Sequence, residues 1–448
     1  MLVLTIVILS VLALISYALF DRDLLAPPTV VCLGLLFSAL CAFYNEKTWG
    51  LEFSKNTMWF IASGVFSFLI GGILAVLLFN LPHMNRFGFS HELSEVHPIY
   101  VNYIKTVAVI LLQLLTLYFL FRHIRRLTGY SNWMSAVARY RELVTEADAN
   151  SDTSIGLPFL LKNLLECGFA IATVYSYIAG NNLVSQKKQQ WINWIPIILC
   201  AISTFMRGDR SNMIRLWLTV LITAYTIRKR SVGWKNSKET KKMIKIMALS
   251  LIAVGALFVG LREIVGRKTS MDPLYYLTFY AGCPTAALDQ FLKSPRTLSS
   301  IWGKETFYYL NVSLNVLFGK PERYPFYKEF IKSPNGTLIG NVYTALRPPY
   351  QDFGFWGMIR VMLIMGAFFT FLYCLVRKRQ GRNPVDFRLL MYCYIAYTFF
   401  MYFYNCYNAF ISHSILKLCI ELLLVRWVLV SWSFKRTTVR IGGVVKNQ

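Results

Sequence analysis

Residues 58–79 read MWFIASGVFSFLIGGILAVLLF, an apolar run without a charged side chain. About 20 such residues in a helix cross the hydrocarbon core of a bilayer, where each backbone polar group must be satisfied inside its own segment. The run therefore reads as a transmembrane helix. Upstream, 2–20 and 24–43 repeat the pattern. Downstream, so do 100–121, 161–178, 194–206, 213–227, 244–261, 356–376, 389–411 and 414–430, of which 194–206 and 213–227 are short. Composition points the same way: hydrophobic residues fill 56% of the 448 positions and charged residues 15%, too apolar a mixture to cover a soluble surface. The expected fold is an all-α polytopic membrane bundle of about 10–12 spans. It forms one membrane domain, 1–448, with a long outer-face loop, 262–355, inserted in it. The first run passes through Asp21-Arg22-Asp23 into the second with no cleavage site between them, so it reads as a retained span. The nine cysteines lack CxxC spacing and read as apolar filler.

The excess of 47 Lys+Arg over 22 Asp+Glu does not point to nucleic acid, because the basic residues collect beside apolar runs. They fall at Arg122, Arg125 and Arg126; at Arg228 to Arg230 and Lys235 to Lys245; at Arg377 to Arg382; and at Lys435 and Arg436. The positive-inside rule places all four clusters in the cytoplasm. The amino terminus is then inside, and 82–98 and 262–355 are both outside. Eleven full crossings cannot leave both termini on one side. Two readings close the count: 194–206 and 213–227 form one broken helix around Arg207-Gly208-Asp209-Arg210, or 161–178 lies partly in the interface. Both put Arg207 and Arg210 at the outer mouth or at membrane depth, where an ionisable side chain needs a partner or a function. Asp209 is the obvious partner.

Long ordered loops in compact proteins usually carry function. The loop 262–355 opens with Arg262, Arg267 and Lys268 and closes with GNVYTALRPPYQDFG, residues 340–354. Within that closing segment Arg347 is a planar fork of donors suited to phosphate oxygens. Tyr343 and Asn341 suit a sugar, and Asp352 suits proton transfer. The alternative is a structural Arg347–Asp352 ion pair bracing Pro348-Pro349. His413, at an outer turn, is a second candidate acid or base. Asp21 and Asp23 read either as a tight turn or as a divalent-cation site against a lipid phosphate. There is no HExxH, no Gly-rich phosphate loop and no Gly-x-Ser-x-Gly elbow, so soluble-type hydrolase or nucleotide-driven chemistry has no support.

The interrupted short pair, the basic segment, a further span and a long outer loop ending in Gly-Asn-x-Tyr-Thr…Arg…Asp-Phe-Gly resemble the Wzy-type oligosaccharide repeat-unit, or O-antigen, polymerases. Asp23-Leu-Leu-Ala-Pro27 extends the resemblance toward the amino terminus. It implies an integral-membrane (GT-C-like) glycosyltransferase of the bacterial inner membrane, acting on its outer, periplasmic face in lipopolysaccharide or capsule biosynthesis. The donor and acceptor would be undecaprenyl-diphosphate-linked glycans, the growing chain passing to a sugar hydroxyl of the next unit without metal, cofactor or nucleotide sugar. The implied partners are the lipid bilayer, a chain-length regulator and a flippase. The residues that would carry this chemistry are Arg207, Arg210, Arg262, Arg267 and Arg347 on the diphosphate, with Asp352 or His413 as base. Two other functions stay open. A flippase or other transporter usually shows internal repeats, and none is visible. The related ligases use a loop histidine, whereas here the long loop 262–355 contains none.

Overall fold

The computed structural model describes residues 1–80, 96–150, 156–185, 190–208, 211–234, 236–260, 271–294, 297–319, 328–377, 385–410 and 423. The protein is an all-α polytopic membrane protein, with 77% of the described residues helical. Its elements are α1 (Leu2–Leu19), α2 (Pro27–Tyr44), α3 (Glu46–Trp49), α4 (Lys55–Asn80), α5 (Tyr103–Thr128), α6 (Trp133–Asn150) and α7 (Phe159–Ser185). These are followed by α8 (Ile195–Met206), α9 (Ser211–Val232), α10 (Ser237–Gly260), α11 (Pro273–Lys293) and α12 (Tyr308–Leu317). A small hairpin of β1 (Ile331–Lys332) and β2 (Leu338–Gly340) precedes α13 (Arg347–Arg377) and α14 (Phe387–Phe400). Among the described residues α1, α2, α4, α5 and α13 are long and apolar enough to cross a membrane. The apolar runs coincide with helices to within a few residues, except 389–411, which is α-helical only as far as Phe400 and continues as turns, and 414–430, which lies outside the described residues except for residue 423.

The central contact joins α4 and α13, which run in the same direction. Gly64 meets Leu346 and Met358, while Gly71 meets the backbone of Leu363 and Ala367. A Cβ on Gly366 would collide with the Phe68 carbonyl oxygen. In lipid, where apolar burial between helices gains little, such small residues let backbones approach closely enough for dispersion to hold the pair. The uncharged run that identifies α4 thus also contains its packing surface.

The segment 262–355, read from hydropathy as one loop, contains α11, α12 and the hairpin. Of these, α11 is built into the bundle. Ser38 on α2 donates to the Ala281 carbonyl (2.6 Å) and pairs with Thr285 (2.7 Å), and a Cβ on Gly282 would meet the Ala42 backbone nitrogen at 2.7 Å. Hydropathy misses α11 because its buried face carries Thr285 and Asp289. The Asp289 carboxylate is fully buried, but Lys293 pairs with it (2.8 Å) and the Ser54 backbone N–H donates to it (2.9 Å). That pairing removes most of the penalty on the charge.

A buried polar network closes one end of the bundle. Asp23 accepts from the Tyr225 hydroxyl (2.7 Å), the Tyr373 hydroxyl (2.5 Å) and the Leu25 N–H (3.0 Å). Arg377 pairs with Asp21 at 3.0 Å and approaches Asp23 at 3.7 Å. Arg230 pairs with Asp386 at 2.9 Å, both side chains almost fully buried. Asp21 and Arg22 both have φ of 57°, so Asp21-Arg22-Asp23 is a tight left-handed turn whose two carboxylates already have protein partners.

These contacts correct the sequence-derived topology. The expectation put all basic clusters at one end, with 82–98 and 262–355 together at the other. In the structure α5 packs antiparallel to α7, through Thr106 to Tyr175 (2.9 Å) and through Leu120 and Ile124 against Leu161 and Leu165. The far end of α7 reaches the network, where Tyr177 accepts the Asp386 N–H, and Asn182 holds Ile99. Arg125 and Arg126 therefore lie at the end opposite Arg230 and Arg377, beside Met206. The described part of 82–98 lies at the Arg377 end, since the His97 carbonyl accepts from Asn181. Residue 1 lies opposite Arg377, because α1 terminates at Asp21 beside it. Buried ion pairs and helix packing outweigh a charge count that treats every cluster alike.

Candidate functional site

The closing segment of the inserted region folds around Arg347. Gly354 has φ 70° and ψ −173° inside α13, a conformation suited to glycine, and the helix breaks there into a short first part and a long span. Arg347 opens the short part and is 3% exposed. Its guanidinium stacks over Tyr343 (4.1 Å) and Phe291 (4.6 Å), while Nη2 lies 3.6 Å from Glu305 and 3.5 Å from Glu329. Nε and Nη1 are buried with no hydrogen-bond partner among the described residues. Leaving donors of a charged group unsatisfied costs more than about 1–3 kcal/mol, so they mark a place where a ligand oxygen or a water completes the set.

Asp352 does not pair with Arg347. It lies one helical turn and a half further along, and its oxygens accept the backbone N–H groups of Glu305 (3.0 and 3.2 Å) and Thr306 (2.7 Å). That clamps the turn carrying Glu305 against the start of α13. Tyr343 is fully buried and donates its hydroxyl to the Glu329 carbonyl at 2.9 Å. Asn341 is half-buried at the end of the hairpin.

Lys328 adds a second cation to the cluster. It donates to Asn405 Oδ1 at 2.9 Å. Burial, reinforced by the Arg347 charge, pushes its ammonium group down to about 8 against the opposing pull of Glu305, Cys406 and Asp352.

Arg207 ends α8, and its buried Nε has no partner among the described residues. It lies near Tyr140 of α6, and the following Gly208 sits against the Arg141 side chain. Gly208 and Ser211 form the polar edge of a cavity of 390 Å³ otherwise walled by apolar and aromatic side chains, among them Phe37, Leu251, Leu277 and Tyr280. Met401, Phe403, Tyr404 and Tyr407 form a further wall. The same segment faces the Arg347 cluster: the Tyr402 carbonyl accepts the Ala345 N–H (2.8 Å) and Asn405 holds Lys328. The Arg207 turn and the Arg347 cluster thus belong to one region, with a single segment between them. Arg215, one turn into α9, lies 4.4 Å over the Tyr397 ring.

Of the residues selected from sequence, Arg347, Asp352 and Tyr343 come together, Asn341 lies two residues before Tyr343 at the end of the hairpin, and Arg207 lies across the dividing segment. Arg210, Arg262, Arg267 and His413 lie outside the described residues, as does Asp209. Glu305, Glu329, Lys328 and Arg215 were missed, because each is an ordinary charge in its own stretch and only folding brings it to the site.

A family model for O-antigen polymerases matches residues 158–401, from the start of α7 to the end of α14 and just over half of the chain. No curated protein and no solved structure gives a significant match.

Proposed function

Because the chain belongs to the O-antigen polymerase family, we propose that it lengthens lipid-linked glycan by moving the growing chain from its undecaprenyl-diphosphate carrier to a sugar hydroxyl of the next unit. One observation carries this reading to particular residues: within the matched segment Arg347 is buried among aromatic rings and carboxylates with two donor nitrogens that have no hydrogen-bond partner among the described residues. A departing diphosphate gains negative charge, and a fixed guanidinium of low mobility stabilises that charge more strongly than water does. The apolar cavity beside Gly208 suits the polyprenyl chain, with Arg207 and Ser211 at the level of the headgroup. Cleavage of the carrier linkage supplies the driving force, so neither a nucleotide sugar nor a metal is required.

We assign the end bearing Arg228 to Arg230 and Arg377 to the cytoplasm, which keeps those basic clusters inside and leaves Arg125 and Arg126 outside; Arg347 and the cavity edge then lie on the outer face of the inner membrane. Units reach that face through a flippase, and a chain-length regulator acts beside the polymerase. The test is a reconstitution in which purified protein receives lipid-linked units on the Arg347 face. Longer lipid-linked chains are expected. A transporter would leave chain length unchanged, and that result would overturn the reading.

A further inference from the structure

We propose that Glu305 is the general base that activates the acceptor hydroxyl; the inference rests on the polymerase reading above. A base needs a free lone pair at a fixed place within hydrogen-bond reach of the acceptor hydroxyl. Both Asp352 oxygens are engaged by backbone N–H groups of the Glu305 turn, which gives that carboxylate a positioning role. Glu305 meets the need. Its Oε1 lies 3.6 Å from Arg347 Nη2, and its Oε2 is buried with no hydrogen-bond partner among the described residues. The Asp352 clamp holds its backbone and Arg347 holds Oε1, which leaves Oε2 at a fixed place.

The surroundings suit an acceptor sugar. Trp302 precedes Glu305 in the same turn, 61% exposed and stacked on Phe307 with centroids 5.5 Å apart, and both rings adjoin Phe353. An exposed indole braced from behind is a platform for the apolar face of a pyranose. In the step itself, the acceptor oxygen bonds to the anomeric carbon of the donor as its proton passes to Glu305 Oε2. The bond from that carbon to the diphosphate oxygen breaks, and its electron pair leaves with the diphosphate toward Arg347. The proton then returns to solvent.

The experiment uses the full-length protein in lipid vesicles with lipid-linked units and measures elongation rate against acceptor concentration and pH. Glu305→Gln keeps the shape and an oxygen facing Arg347 but cannot take a proton. Its kcat is expected to fall at least about 100-fold, with an acceptor KM within about threefold of wild type. Glu305→Asp should restore part of the rate. Trp302→Ala should raise the acceptor KM with little effect on kcat. A Glu305→Gln enzyme that elongates within about threefold of wild type overturns the assignment. So does a loss of activity matched by an equal loss of folded protein in thermal unfolding, which would make Glu305 a structural partner of Arg347. Wild-type protein that lengthens no lipid-linked glycan would overturn the polymerase reading itself, and this proposal with it.

Discussion

At the scale of single residues, Arg347, Asp352 and Lys328 do different work within one cluster. Arg347 holds two unmet donors in a nearly closed site, so Arg347→Ala should reduce elongation about 100-fold or more while the protein still inserts. Comparing rates per folded molecule checks this. Asp352 acts through the backbone. Asp352→Ala strips the acceptors from the Glu305 and Thr306 N–H groups, which costs about 1–3 kcal/mol for each group left buried. A lower unfolding midpoint is expected, and thermal unfolding in detergent measures it. For Lys328 the folded state disfavours the ammonium form, so between pH 8 and the ordinary lysine value the unfolded chain binds more protons than the folded one. Stability should therefore rise with pH across that window, and Lys328→Met should abolish the rise. Unfolding midpoints of both proteins from pH 7 to 10 test the sign. Arg347 and Asp352 were legible in sequence as chemically rich letters at the end of a long polar insertion. Their division of labour was not, because Glu305, Phe291 and Lys328 reach them from other parts of the chain.

At the scale of elements, the α4–α13 pair depends on glycine at the points of closest approach. Gly366→Val would drive a side chain into the Phe68 carbonyl, overpacking that costs about 1–3 kcal/mol or more. Loss of the monodisperse peak in size-exclusion chromatography is the expected outcome. The break at Gly354 matters as much, since it turns the short first part of α13 away from the span and presents Arg347 to Glu305. Hydropathy found α4 and the long part of α13 because lipid demands uninterrupted apolar length. It passed over α11, where burial inside protein accommodates Asp289 and Thr285 by pairing them with Lys293, Ser54 and Ser38.

At the scale of the whole molecule, the buried Arg230–Asp386 and Arg377–Asp21 pairs tie the α1–α2 turn, α9, α13 and α14 together at the end opposite Arg347. Asp386→Ala leaves a buried guanidinium without its counter-charge, and breaking one side of such a pair costs about 3–5 kcal/mol. Replacing Arg230 and Asp386 together with apolar residues of similar size should recover much of that loss, as unfolding of the single and double variants would show. The two ends also fix an orientation test. In a cysteine-free background, Arg22→Cys and Trp302→Cys should react with a membrane-impermeant thiol reagent from opposite sides, Trp302→Cys from outside. Labelling of both from one side would refute the assigned topology.

The sequence alone determined the class of the protein and the place of most helices, because a bilayer requires apolar runs of a set length and tolerates few substitutes for them. It also singled out residues 340–354, since a segment dense in Arg, Tyr, Asn and Asp has little reason to follow a long insertion unless it binds something. Only the tertiary structure decided which helix ends share a side, because Arg377 beside Asp21 and Tyr177 beside Asp386 are contacts between distant parts of the chain. Only the tertiary structure gave Arg347 its partners, too. A carboxylate becomes a candidate base through what surrounds its oxygens, and neither the clamp on Asp352 nor the unmet oxygen of Glu305 is written in their local sequence.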